Sequence, residues 1–311
     1  EELGEKGVKL VIILSSDMHL HCSGIGEPLP YEAARIATQY KMRILGPNSL
    51  GIILPWVNLN ASFSPINANK GNIAFISHGG GPMPLLNDPD HEKLVVYLKL
   101  LAGKLEKPSA ILLISAHWEA TVATITANAN PKMIYDYSGF PTETYQLQYP
   151  SPGEPALADK VKQVLQEAGI HVKLDHQRGY DHGLYVPLML MYPEADIPAI
   201  QLSLVNNLDP AQHLAMGKAI QSLDYDNLLV IGSGFSFHNM REFFAPNTED
   251  RRMKNQEFEH WLHTTLSDRQ LPETERNKRM VNWVKAPNAR YCHPREEHLL
   301  PLHICYGLAG R

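Results

Sequence analysis

The segment Ile111–Trp118 reads ILLISAHW, a short apolar run that leads into a histidine, and runs of this kind decide the fold. Each run is short, rich in β-branched residues and bounded by turn-forming residues. The runs are Val8–Leu14, Ile73–Ser77, Ala110–Ser115, Ile197–Leu202 and Leu228–Ile231, and helical patterns between them occupy Pro155–Ala168 and Pro210–Leu223. Buried strands that alternate with helices predict an α/β fold with a mostly parallel, layered sheet and flanking helices. In such folds the functional residues gather at the carboxyl ends of the strands.

Histidines follow three of these predicted strands directly. His78 ends the sequence FISH, His117 lies in ILLISAHW, and His238 follows the strand in LLVIGSGFSFHN. If the strands share one sheet, the three imidazoles meet at one edge, and neutral imidazole is the commonest metal ligand in proteins. The glycines Gly79–Gly81 allow the backbone beside His78 to approach a ligand closely. The alternative for each residue is a strand-end histidine whose ring bonds only a backbone carbonyl.

Two further histidines have sequence contexts that suit a catalytic site. His182 lies in RGYDHGLYVPL, beside Asp181 and at the start of an apolar helical pattern. A histidine beside a carboxylate can exchange protons near neutral pH, although a helix-capping turn is an equally ordinary interpretation. His298 lies in HPREEHLLPLH, where helical spacing places Glu297 or His298 on the inner face. A solvated helix start is the alternative for that segment.

Composition excludes several classes of protein. The 28 basic and 33 acidic side chains give a net charge of −5, which provides no electrostatic reason to expect a nucleic-acid partner. No apolar run approaches the roughly 20 residues that cross a bilayer, so a membrane protein is not expected. The cysteines Cys22, Cys292 and Cys305 lack CxxC spacing. Such a sparse set predicts reduced thiols in a cytoplasmic protein.

A set of longer motifs identifies a family resemblance. In chain order they are SHGGGPMPLL, SAHW, YDYSGFP, YPSPGEPALA, GYDHG, MYPEADIPAIQLSL, GFSFHN and HPREEHLLPL. With them, the stretch from Phe75 to Gly310 resembles the class III (LigB-type) extradiol ring-cleavage dioxygenases, in particular their DOPA 4,5-dioxygenase branch. The resemblance implies metal ligands at His78, His117 and His238. It also implies the catalytic histidine at His182 and a histidine close to the substrate pocket at His298.

Residues 1–72 resemble a different family. The segments KGVKLVIILSS, AARIATQYKMRILGPNSLGI, LNASFS and KGNIAFIS are similar to the later half of the CoA-binding domain of ADP-forming acyl-CoA synthetases and related protein acetyltransferases. We therefore expect a partial, Rossmann-like fragment over residues 1–71 and a catalytic domain over residues 72–311, with the polar segment Ser64–Asn72 as the joint. CoA binding is not expected, because the half that carries the glycine-rich phosphate loop is not represented. The LigB-type dioxygenases usually continue through a further terminal strand. The resemblance therefore implies that the catalytic domain is shortened at its carboxyl end.

The resemblance implies an extradiol dioxygenase that inserts O₂ into a DOPA-like catechol at one mononuclear divalent metal. Its partners are then a small aromatic diol and O₂. Fe(II) is the metal expected for activity, because Zn(II) has no accessible second oxidation state, whereas Zn(II) is a metal that nitrogen-rich sites bind tightly. One alternative is a zinc-dependent hydrolase that uses the same histidines, and another is an inactive fusion product of the CoA-type domain. The sequence leaves open which catechol is used and how the chain oligomerises.

Overall fold

The computed structural model describes residues 10–12, 29–40, 43–45, 51–54, 59–62, 72–243, 245–246 and 248–310. The chain divides into two compact units, one of residues 72–266 with 271–311 and one of residues 1–71 with 267–270. All five histidines predicted above to form the site lie in the larger unit. Of the joint predicted over Ser64–Asn72, only Asn72 lies among the described residues.

Within its described residues, the smaller unit contains a β-α-β arrangement and a separate strand pair. The elements are β1 (Leu10–Ile12), α1 (Leu29–Tyr40), β2 (Arg43–Leu45), β3 (Gly51–Leu54) and β4 (Leu59–Ser62). β1 and β2 pair in parallel, whereas β3 and β4 pair antiparallel. A helix between two parallel strands is the repeating unit of Rossmann-like folds. The strand expected over Val8–Leu14 is present at Leu10–Ile12, and its remaining residues lie outside the described part.

The larger unit is built on a six-stranded sheet. Its strands are β5 (Ile73–Ile76), β6 (Ala110–Ala120), β7 (Ala123–Thr126), β8 (Val172–Asp175), β9 (Ala199–Val205) and β10 (Leu228–Ser233). The strand order is β5-β10-β6-β9-β7-β8. Every neighbouring pair is parallel except β7 and β9, which meet antiparallel through Ile125 and Leu202. The prediction of a mostly parallel α/β sheet is therefore confirmed.

Helices flank this sheet on both sides. From Asn72 onward, the described helices are α2 (Glu92–Ala102), α3 (Pro155–Glu167), α4 (His182–Met191), α5 (Pro210–Ile220), α6 (Met240–Phe243), α7 (Glu249–Ser267), α8 (Glu273–Val281), α9 (Ala289–Cys292) and α10 (Leu300–Ala309). Short 3₁₀ turns occupy Met83–Leu85, Pro89–His91, Thr142–Gln146 and Trp283–Lys285. Among the described residues, none of the helices has both the length and the apolar character needed to cross a membrane.

β6 is apolar on both faces because helices cover both. Successive residues of a strand point to opposite faces, so Leu112 and Ile114 enter one core together with residues of α3, α5 and α10. Ile111 and Leu113 enter the other core, which residues of α4 complete. Full burial of one such side chain contributes roughly 1.5–3 kcal/mol, so both faces of the central strand stabilise the fold.

The structure ends the central strand later than predicted, and it moves the strand expected over Ile197–Leu202 to Ala199–Val205. The sequence ends the central strand at Ser115, whereas β6 continues to Ala120 through an irregularity between Ile114 and Glu119. His117 therefore lies inside β6 rather than after it. A bulge re-aims a side chain at the point where the ladder is interrupted, and the local apolar pattern gives no sign of it.

Candidate metal centre

Three neighbouring strands of the sheet bring the predicted ligands to one edge. β5, β10 and β6 lie side by side and run in the same direction. His78 follows β5 by two residues, His238 follows β10, and His117 lies at the bulge of β6. The carboxyl ends of parallel strands meet at one edge, so the chain order of the strands does not matter for this convergence.

The turn after His78 depends on glycine. Gly79 has a φ of +78°, and a Cβ atom there would lie 2.2 Å from Cγ of Pro84. Nδ1 of His78 lies 2.9 Å from the carbonyl oxygen of Gly79, so Nδ1 carries the proton and donates it to that carbonyl. Nε2 of His78 consequently has a free lone pair, and it lies 3.2 Å from Nε2 of His117.

His117 is tied to the start of helix α4 through a serine and an aspartate. The backbone N–H of His117 donates to Oγ of Ser115 at 3.1 Å, and that hydroxyl donates to Oδ1 of Asp181 at 2.8 Å. Asp181 is fully buried, and its Oδ2 accepts a hydrogen bond from Arg178 at 3.1 Å. These contacts fix the bulge of β6 against the residue that precedes His182.

His182 is the first residue of α4 and is held by Asp136. Oδ1 of Asp136 accepts hydrogen bonds from the backbone N–H of His182 at 3.0 Å and from Nδ1 of its ring at 2.9 Å. The ring centroids of His182 and His117 are 3.9 Å apart. Burial by itself would raise the pKa of Asp136, but its bonds to His182 outweigh that effect and lower the pKa. The carboxylate is therefore ionised at neutral pH.

A second carboxylate, Glu297, bonds two histidines at once. Its Oε1 lies 2.9 Å from Nδ1 of His298 and 3.2 Å from Nδ1 of His238. The two rings are stacked, with centroids 3.4 Å apart. Burial opposes ionisation of Glu297, but the hydrogen bonds of the two histidines prevail and hold its pKa well below the usual range.

Electrostatics favours neutral imidazoles at this edge. Burial lowers the pKa of His78 and His117 well below the ordinary value, and the neighbouring imidazoles lower both further. Burial also lowers the pKa of His298 to about 4. Neutral imidazole has a free lone pair on one ring nitrogen, and that lone pair is what binds a metal ion.

His78, His117 and His298 fit a single metal ion. Nδ1 of His78, His182, His238 and His298 each faces an oxygen atom, so their Nε2 atoms are left as acceptors. Nε2 of His298 is buried without a hydrogen-bond partner, and two Nε2 atoms, of His78 and His117, face each other at 3.2 Å. A cation satisfies such converging lone pairs, and Nδ1-to-oxygen bonds are the usual support of metal-ligating histidines.

The described residues form three triads whose ligand atoms lie within 4.8 Å of one another. They are His78–His117–His298, His117–Asp136–His182 and His238–Glu297–His298. Of the predicted ligands, His78 and His117 share a triad, whereas His238 belongs to the third one. His298, which the resemblance assigns to the substrate pocket, joins two triads, and its ring stacks on that of His238. His298 is 4% exposed, so the solvated position that the sequence allowed is wrong.

Sequence reasoning assigned no role to Asp136 and none specifically to Glu297. Asp136 lies inside YDYSGFP and Glu297 inside HPREEH, so both carboxylates belong to motifs that carry the family resemblance. Carboxylates on surface loops are common, however, and only the fold shows that these two contact imidazoles.

Aromatic rings also flank the histidines, since Phe235 lies 4.6 Å from His78 and Tyr137 lies 5.8 Å from His182, measured between ring centroids.

Known proteins similar to this chain include dioxygenases. Dioxygenase tasH of Hapsidospora irregularis is 39% identical over 252 residues, which cover 75% of this chain and 76% of that protein. The 4,5-DOPA dioxygenase extradiol of Beta vulgaris is 39% identical over 239 residues, which cover 76% of this chain and 86% of that protein. The crystal structure of uncharacterized protein JW3007 from Escherichia coli K12 superposes with a TM-score of 0.56 at 30% identity, covering 69% of this chain and 81% of that one.

A shorter similarity supports the second resemblance. The acetate–CoA ligase [ADP-forming] II subunit alpha of Pyrococcus furiosus is 46% identical over 79 residues, which are 25% of this chain and 17% of that protein. The likeness to an ADP-forming CoA ligase is therefore local.

The family assignment covers most of the chain. Residues 75–311 match the family described as the catalytic LigB subunit of aromatic ring-opening dioxygenase. This stretch contains the whole six-stranded sheet except the first two residues of β5, together with all five histidines of the candidate centre. The chain therefore belongs to the LigB family of aromatic ring-opening dioxygenases, and it is an extradiol dioxygenase of a family that works with one mononuclear metal.

Proposed function

We propose that this enzyme opens the ring of a DOPA-like catechol beside its two hydroxyl groups, at one divalent metal held by His78, His117 and His238. The observation that carries the proposal is the convergence of imidazoles at one sheet edge, where Nδ1 of His78, His182, His238 and His298 each faces an oxygen atom. The names of the similar proteins favour a DOPA-like substrate. The aromatic rings of Phe235 and Tyr137 provide flat apolar surfaces beside the histidines, which suit an aromatic ring.

The ligand set follows from the strand ends and from the resemblance. His78, His117 and His238 come from three adjacent strands, and Glu297 supports His238 from its Nδ1 side. His298 stacks on His238 and bonds the same carboxylate, so it is the alternative third ligand. We assign His298 to the substrate, because its buried Nε2 can meet a catechol oxygen beside the metal.

Fe(II) is proposed as the working metal and Zn(II) as an ion that the purified protein can carry. A bound redox-active metal supplies a path for electrons from the catechol to O₂, which Zn(II) lacks. Three neutral imidazoles leave the charge of the ion undiminished, and this favours the deprotonated form of a catechol that lies against it.

His182 is proposed as the acid and base. Its Nδ1 is bonded to Asp136, so Nε2 is the atom that accepts a proton from a catechol hydroxyl and returns it later. The side chain is 5% exposed, so the transferred proton is kept from bulk water. The closeness of the His182 ring to that of His117 supports a base that acts beside the metal.

Oxygen consumption tests the proposal. Protein stripped of metal and reloaded anaerobically with Fe(II) is expected to take up O₂ with DOPA and to give a yellow ring-opened product. The same sample is expected to be inactive with the mono-methylated catechol, because one hydroxyl can no longer lose its proton. Turnover of hydrolase substrates by the zinc-loaded protein, with no oxygen uptake by the iron-loaded protein, contradicts the proposal and favours the hydrolase.

A further inference from the structure

The carboxylate of Asp136 makes two hydrogen bonds to one residue. Its Oδ1 accepts from the backbone N–H of His182 at 3.0 Å and from the ring Nδ1–H at 2.9 Å. Its Oδ2 lies 3.9 Å from Nδ1 of His117, which is too far for a hydrogen bond. Asp136 therefore engages His182 directly and His117 only through the electric field.

The two hydrogen bonds determine which ring nitrogen of His182 faces the site. A neutral imidazole carries one N–H, and a carboxylate beside Nδ1 holds the proton on that atom. Nε2 is then the unprotonated nitrogen. The backbone contact fixes the ring as well, because the same oxygen anchors both the main chain and the side chain of His182.

The loop that carries Asp136 is fixed on both sides of the carboxylate. The hydroxyl of Tyr135 donates to the carbonyl of Leu147 at 2.6 Å, and the hydroxyl of Tyr137 donates to the carbonyl of Thr144 at 2.6 Å. Two buried or half-buried tyrosines thus hold the segment in place before any substrate arrives. A preorganised carboxylate needs no rearrangement when charge appears on the imidazole.

The nearby carboxylate of Asp181 has different partners. Its oxygens accept from Ser115 and Arg178, so its charge is already matched by a guanidinium. Asp136 is the carboxylate that bonds the ring of His182, although Asp181 is its neighbour in the sequence. The adjacent acid in the sequence is therefore not the acid that acts on the histidine.

We propose that Asp136 is the positioning residue of this dioxygenase: it holds His182 in the Nδ1–H tautomer and stabilises the imidazolium that forms. The inference rests on the proposed acid and base role of His182. In the step concerned, a catechol hydroxyl gives its proton to Nε2, so the O–H bond breaks and an N–H bond forms. The positive charge that results is shared with the carboxylate of Asp136, and the same proton leaves Nε2 when it is returned.

The test is a double-mutant cycle on the iron-loaded 311-residue chain. Asp136→Asn keeps the shape and removes the charge, and it is expected to lower kcat by roughly 10- to 10³-fold, below the loss of about 10⁴ known where an aspartate orients a catalytic histidine. Metal content and KM are expected to stay close to wild type. In the His182→Ala background the same substitution is expected to have no further effect, because Asp136 acts through that ring. Asp136→Glu is expected to recover part of the loss, and Asp159→Asn, on an exposed face of α3, serves as the matched control.

Each outcome decides something. Loss of the metal in Asp136→Asn, or additive effects in the double mutant, overturns the proposal and makes Asp136 a ligand or a structural residue. If Asp136→Asn turns over like the wild type while His182→Ala is inactive, the positioning role of Asp136 is refuted and the role of His182 stands. If His182→Ala is fully active, both the acid and base role of His182 and the role of Asp136 are refuted. Nitrogen-15 NMR of the zinc-loaded protein provides a readout without turnover. The resonances lost in His182→Ala are expected to show a protonated Nδ1 in the wild type, and a protonated Nε2 contradicts the proposal.

Discussion

Glu297 offers the sharpest test of how the protein supports its metal. One oxygen of this carboxylate bonds Nδ1 of both His298 and His238, at 2.9 and 3.2 Å, and the other lies 3.3 Å from a guanidinium nitrogen of Arg295. Glu297→Gln keeps the size of the side chain but removes the charge. Its amide nitrogen also meets either an imidazole N–H or the guanidinium, and neither can accept its hydrogen bond.

The expected loss is 10- to 100-fold in metal affinity, which corresponds to about 1.4–2.7 kcal/mol. This is the usual effect of removing a carboxylate that supports a ligating histidine, and Glu297 supports the proposed ligand His238. The assay is a competitive titration of the metal-free protein with Zn(II) against a chelating dye. Glu296→Gln is the matched control, because Glu296 is the adjacent residue and pairs with Arg290 instead of a histidine. An affinity for Glu297→Gln equal to that of wild type would refute the support that we ascribe to this carboxylate.

Three further predictions concern other histidines. His182→Ala should keep its metal and lose about 10²- to 10⁴-fold in kcat, whereas His117→Ala should lose the metal; equal metal loss in both variants would make His182 a ligand. His238→Ala should lose the metal by elemental analysis while His298→Ala keeps it and raises the KM for the catechol, and the reverse result would make His298 the third ligand. Burial lowers the pKa of His213 to about 4, so between pH 6.5 and pH 4 the unfolded chain binds a proton that the folded chain does not. The free energy of unfolding should therefore be highest above pH 6.5 and should fall by up to about 3 kcal/mol towards pH 4. Urea unfolding of His213→Gln should show a smaller fall over the same pH range.

The sequence predicted the sheet because strand and helix patterns depend on local alternation. The runs Ile73–Ser77 and Leu228–Ile231 predicted β5 and β10 to within a few residues. The histidines after them were singled out because each follows such a run. The order of strands in space is set by long-range packing, so the adjacency of β5, β10 and β6 needed the structure. The bulge that carries His117 was also missed, since an interrupted ladder leaves no mark in the apolar pattern.

The sequence predicted that these histidines lie close together, but it did not predict the carboxylates that bond them. GYDHG suggests that the adjacent Asp181 accompanies His182, yet Asp181 bonds Ser115 and Arg178, and Asp136 bonds the histidine ring from 46 residues away. Sequence proximity was misleading here because the chain turns at the start of α4. His298 was placed near the substrate, and its stacking on His238 became visible only in three dimensions.

The central claim is that these histidines hold a metal that lets a catechol react with O₂. The most direct measurement is the rate of oxygen uptake with DOPA by two samples of the same protein, one loaded with Fe(II) and one with Zn(II), each verified for metal content. The account predicts stoichiometric O₂ consumption and a yellow ring-opened product from the iron sample, and slow or no uptake from the zinc sample. A zinc sample as fast as the iron sample, or an iron sample that consumes no oxygen, would contradict it.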